Sequence, residues 1–174
     1  RGGVVEDVRV TNIVMTDVLS PVVMNLYYTC GAQGELAERV ADPNPQPCSE
    51  ETPAIRNIAI AGVTARRAAV SAGALVGLPE SPIMNVSMRD VEIDTVSAAH
   101  PVKAAMSFQC PATSGAGLLA RQVEGLRLHN VRLAATNGPA LDCRGCVDVA
   151  VDGGQFTTAD AQADVRLHGD LPAR

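Results

Sequence analysis

With 174 residues the chain can form one domain with a substantial core, and 47% apolar residues mark it as globular. Only 2% of residues are aromatic and there is no Trp, so the core must be built from Val, Ile, Leu, Ala and Met. The net charge is −5 and Lys103 is the single lysine, which excludes the clustered positive charge that nucleic acid requires; no apolar run has the length of a membrane span.

The chain opens on Arg1 rather than Met, so it reads as a processed chain or a piece of a longer one, and this end does not set its compartment. The first patterned stretch is Val5-Glu-Asp-Val-Arg-Val-Thr-Asn-Ile13, in which apolar residues alternate but slip a beat at Asp7 and Asn12. An apolar run, Ser20-Pro-Val-Val-Met-Asn-Leu-Tyr-Tyr28, comes next. Residues 29–53 are polar and Pro-rich and read as a loop insertion. Cys30 and Cys48 bracket it, and a disulfide closing this loop would suit an exported protein.

The same nine-residue pattern returns as Ile55–Val63, Ile83–Val91 and Val123–Val131, and in weaker form as Cys146–Gly154. Its third column is Asp7, Asn57, Asn85, Gly125 and Asp148; its eighth is Asn12, Gly62, Asp90, Asn130 and Gly153. Asn, Asp and Gly tolerate positive φ at least cost, so both columns predict corners between short strands. The copies run in one direction with similar phase, as in a parallel β-solenoid and unlike a hairpin-built sandwich; little or no helix is expected. The long spacings contain the 29–53 insertion and a second, Gly/Pro-punctuated one at about 98–117, which a solenoid extrudes without disturbing the stack. Like side chains stacking on like would also explain the scarcity of aromatics.

The order of motifs is more specific. "RGGVVEDVRVTNIVMTDVLSPVVMNLYY" (1–28), "TPAIRNIAIAGVTA" (52–65) and "AGALVGLPESPIMNVSMRDVEI" (72–93) together resemble the C-terminal portion of glycoside hydrolase family 28, the polygalacturonase family. The resemblance covers roughly residues 1–155. It implies an all-β, right-handed parallel β-helix of about five coils, with residues 1–174 a single partial domain. It further implies an inverting glycosidase acting on pectin-type polysaccharide, secreted or periplasmic, without cofactor or metal, and monomeric at full length. The family's Asn-Thr-Asp, Asp-Asp, Gly-His-Gly and Arg-Ile-Lys motifs are all absent, so no catalytic residue is carried over and the chain alone is expected to be inactive. The position that carries over is the tyrosine closing the "SPVVMNLYY" strand, Tyr28, with Tyr27 one register away; a ring edge and a phenol suit a sugar.

The remaining chemistry-bearing residues have simpler readings. Glu50 and Glu51 lie in the polar loop, Glu80 sits in a turn between Pro79 and Pro82, and Asp7, Asp90 and Asp148 are corner residues. Arg66-Arg67 and Lys103 read as a solvated face, with an anionic sugar as the sharper alternative. His100, His129 and His168 share no spacing, and Cys143-Arg-Gly-Cys146 lacks the second pair or His cluster that a zinc site needs. The first insertion, directly after Tyr28, is placed to narrow one end of a groove, as an exo-acting enzyme requires. A non-enzymatic β-solenoid that binds carbohydrate or forms an adhesive stalk is the competing reading. A calcium-dependent lyase would need an acidic cluster, and the sequence has none.

Overall fold

All ten residues of the two Asn/Asp/Gly columns adopt positive φ, between 50° and 73°. This is seen in a computed structural model that describes residues 2–28, 31, 33–159 and 165–168. The backbone there is left-handed, which most L-residues reach only at about 1–2 kcal/mol and which Asn, Asp and Gly visit cheaply. Two of the bends, at Asp7 and Gly153, separate short strands as the sequence led us to expect, whereas the other eight lie inside strands. Register resumes on the far side of each one, so β4 (Ala54–Ala68), β6 (Ile83–Thr95) and β8 (Val123–Ala135) each run through two of them. The ladder skips Asn57 opposite Asn85 and Gly62 opposite Asp90, then closes again.

These strands belong to a parallel sheet in which β1 (Val4–Glu6) and β2 (Arg9–Thr16) share β4 as neighbour, followed by β6, β8 and then β10 (Val147–Asp152) and β11 (Gln155–Thr158). A second parallel sheet is built from β3 (Val23–Asn25), β5 (Ser71–Val76), β7 (Ala116–Arg121), β9 (Asn137–Arg144) and β12 (Val165–His168), paired in that order. From β4 to β10 the chain alternates between the sheets, so each return lands beside the previous strand of the same sheet. The class is all-β, as expected. The helix α1 (Glu35–Ala41) lies inside the first insertion, with Glu35 and Glu38 in its first turn and Arg39 in its last, charges that complement the helix dipole.

The register stacks like on like. Ile58, Val86 and Leu126 are direct partners, as are Ile60, Met88 and Leu128, and Val63, Val91 and Val131; all are at most 4% exposed. Each fully buried aliphatic contributes about 1.5–3 kcal/mol, and stacking at the strand spacing of about 4.8 Å fills the core without large rings. The corner residues stack as well. Asn85 Nδ2 donates to Asn57 Oδ1, and Asn57 Nδ2 to Asp7 Oδ1, each at 3.1 Å; Asn130 Nδ2 donates to Asp90 Oδ1 at 2.6 Å. The second insertion ends about two residues earlier than expected, because Ala116 already pairs with Ser71 in the second sheet.

Candidate functional site

Asn25 ends β3 and sets the course of the chain beyond it. Its Oδ1 accepts the Tyr27 backbone N–H at 2.8 Å, and its Nδ2 donates to Phe108 O at 2.7 Å. The first bond turns the chain so that successive tyrosines part. Tyr27 goes into the core, 2% exposed, while Tyr28 stays at the surface, 39% exposed. Of the two tyrosines expected at the site, only Tyr28 is presented to solvent; Tyr27 is corrected to a core residue whose phenol is pushed up by burial and then by the Glu80 carboxylate. The second bond brings the other insertion to the same place. Tyr28 and Phe108 meet edge to face, centroids 5.5 Å apart at 63°, and Phe108 is itself 39% exposed. Three of the chain's four aromatic rings therefore gather here; the fourth is Phe156.

Residues 96–115 form a lid over the second sheet. Two successive turns, Ala104–Ser107 and Ser107–Cys110, place Met106 and Gln109 at positive φ, and the backbones of Val102 and Thr113 bond reciprocally at 2.9 Å. Gln109 Nε2 donates to Ala41 O at 2.5 Å, joining the lid to α1 of the first insertion. Between the lid and strands β5, β7 and β9 lies a cleft of about 420 Å³. Its floor runs along the ladder: Ala74 beside Leu119 beside Asp142. In the neighbouring row Val76 lies beside Arg121 and Arg121 beside Arg144. Arg144 grips Asp142 through Nε at 3.1 and 3.2 Å and Nη2 at 2.6 Å, which raises its own pKa. Arg121 and Lys103 form no salt bridge among the described residues. Burial raises the Cys110 thiol in the cleft wall, and the fields of Arg121 and then Lys103 oppose that rise. Among the described residues, Asp142 is the one acid lining the cleft.

Other sequence candidates lie elsewhere. Arg66 is held by Glu92 at 3.0 Å and Asp94 at 2.9 Å, and Arg67 pairs with Asp17, so neither has its charge open to a ligand. His129 Nδ1 meets Asp152 Oδ2 at 2.8 Å on the surface, and His100 is exposed. Glu51 pairs with Arg39 at 2.7 Å and Glu50 is exposed. Glu80 has Oε2 buried and unbonded among the described residues. Cys48 is a free surface thiol; Cys30, and with it the expected bridge, lies outside the described residues. Cys143 and Cys146 are buried free thiols. Cys143 donates to Cys146, which pulls Cys146 down to about 7 and pushes Cys143 up. The described residues contain no cluster of three or more metal-ligating side chains.

Sequence reasoning missed Phe108, Arg121, Asp142 and Arg144. Arg121 and Arg144 had a signal: each stands two residues before its repeat, which starts at Val123 and Cys146 respectively. Phe108 had only its rarity. Comparison of the chain with models of protein families, with curated proteins and with solved structures finds no match.

Proposed function

We propose that the two parallel sheets are faces of a right-handed parallel β-helix, and that the chain is the C-terminal part of a polygalacturonase-like glycoside hydrolase acting on pectin-type polysaccharide. Strand-to-parallel-strand crossovers are right-handed in nearly all proteins, which supports the handedness. One observation carries the functional reading: the solvent-facing Tyr28–Phe108 pair, with Phe108 on the same lid as Cys110, whose thiol feels the fields of Arg121 and Lys103, two cations without salt bridges among the described residues. A sugar ring offers C–H groups to the face of an aromatic ring, and a uronate offers a carboxylate to guanidinium and ammonium groups.

In this reading the residues bind and position the polymer. Inverting hydrolysis needs one carboxylic acid to protonate the leaving oxygen and one carboxylate to activate water. Asp142 is tied to Arg144 and supplies neither, so the chemistry belongs to residues outside this chain. The parent would be secreted or periplasmic and monomeric. That same engaged acid favours a second reading, a non-catalytic carbohydrate-binding or adhesive stalk. An Arg-x-Lys directly upstream of Arg1 in the parent, with an Asp-Asp further back, selects the hydrolase; their absence selects the stalk.

Calorimetric titration of the purified chain with an oligogalacturonide tests the binding. Tyr28→Ala should weaken it about tenfold, and no reducing ends should appear. Unchanged affinity of the variant, or turnover by the chain alone, overturns the proposal.

A further inference from the structure

The cleft beneath the lid differs in chemistry from the cations beside it. Its walls are largely hydrocarbon, with Ala74, Leu119 and Pro139 on the strands and Pro101, Ala104 and Pro111 on the lid. Its polar side chains are mostly engaged within the protein. Thr113 Oγ1 donates to Val70 O at 3.0 Å, and Asn137 Nδ2 donates to Ser114 O at 2.6 Å. Its charged lining groups, Asp142 and Arg144, neutralise each other, with the Asp142 side chain only 12% exposed. A ligand carboxylate entering here would leave water for an apolar wall. It would meet the negative charge of Asp142 and find Arg144 already engaged. A neutral, weakly polar group meets neither penalty. At about 420 Å³ the cleft is within the range of small-ligand sites and is large enough for a single substituted ring.

We infer that this cleft holds a carboxyl-esterified, uncharged uronate unit of a polysaccharide whose neighbouring units remain anionic. The inference rests on the carbohydrate-binding reading above. Arg121 stands one strand from Arg144, and its field reaches Cys110 in the cleft wall. A free carboxylate on an adjoining unit thus has a cation within reach while the ester group sits under the lid. The preferred ligand is a partially esterified polymer, rather than one fully charged or fully neutral.

Titration of the chain with three probes of equal length tests this: an oligogalacturonide with all carboxyls free, one partially methyl-esterified, and one fully methyl-esterified. The partially esterified probe should bind tightest, about fourfold or more above the free acid, the worth of burying one methyl group. Asp142→Asn releases Arg144 and should reverse the order of these two probes. Leu119→Asp puts a charge in the wall and should weaken the partially esterified probe more than the free acid, removing the ester preference. Thermal melts of both variants report folding. Equal or tighter binding of the free acid by the native chain overturns this inference and leaves the carbohydrate-binding reading intact. No binding of any probe overturns both.

Discussion

Replacing Asn85 by Gly and by Ala separates a bend from an ordinary strand position. Asn85 lies inside β6 with φ 55°, donates to Asn57 Oδ1 at 3.1 Å, and sets its own Oδ1 against Gly125 of the next strand. Both variants lose the ladder bond, which at this exposed site is worth about 0.5–1 kcal/mol. Ala also has to hold a left-handed backbone, at about 1–2 kcal/mol, whereas Gly does so freely. The looser unfolded chain of the Gly variant cancels about 0.4–1 kcal/mol of that difference. Gly should therefore be the more stable variant by roughly 0.5–1 kcal/mol. In a regular strand the order is the reverse, with Gly worse than Ala by about 0.5–1 kcal/mol. Urea unfolding followed by far-ultraviolet circular dichroism, at unchanged m-value, reads the difference as a shift in midpoint. If the Ala variant unfolds at higher urea than the Gly variant, the repeat columns are not bends and the reading of the sequence built on them fails.

Three further outcomes are expected. A double-mutant cycle with Tyr28→Ala and Phe108→Ala should give a coupling of about 0.5–1.5 kcal/mol in stability; strict additivity would show that the two rings do not support each other. Burial raises the Asp94 carboxyl, but the Arg67 amide at 2.9 Å and the Arg66 guanidinium outweigh it and hold the group below its ordinary value. A depressed folded pKa gives stability that is present above the unfolded value, about 4, and is lost as pH falls through the folded one. Asp94→Asn should therefore flatten the acid limb of a midpoint-versus-pH curve below pH about 4; a parallel limb in the variant sinks the assignment. Affinity for the free-acid oligogalacturonide should fall as salt rises and the Debye length contracts, and Arg121→Gln should make that slope shallower. An unaltered slope removes Arg121 from carboxylate binding.

The fold was legible because its determinants are local. Positive φ at Asn57, Asp90 or Asn130 depends on the residue itself, and a column of such residues sets the register. Continuity of the strands was not legible: whether Asn57 ends a strand or bends it depends on the partner strand resuming at Ile58 and Val86. The split between Tyr27 and Tyr28 depends on the Asn25 side chain and on Phe108, which is far downstream of Tyr28 in the chain, so counting along the strand could not tell which tyrosine the core takes. Helix α1 depends on end charges within a segment that otherwise reads as a polar loop.

Ionic side chains are distributed differently on the two sheets. On the first sheet, ionic side chains find partners on adjacent strands: Arg56 with Glu6, Arg66 with Glu92 and Asp94, Arg127 with Asp148, and His129 with Asp152. Exposed pairs of this kind add little stability, and Arg9 and Arg89 on the same sheet join no salt bridge among the described residues. On the second sheet the ladder puts Arg121 beside Arg144. Arg144 is balanced by Asp142, so Arg121 and the nearby Lys103 keep their charges unpaired among the described residues. In the carbohydrate-binding reading proposed above, these two cations meet the carboxylates of the polymer despite the chain's net charge of −5. Both insertions converge on the same place, through the Gln109 bond to Ala41 and the Phe108 contacts to Asn25 and Tyr28. Loop closure, aromatic exposure and unpaired charge therefore coincide on the second sheet, and these three features are why the proposed carbohydrate site is placed there.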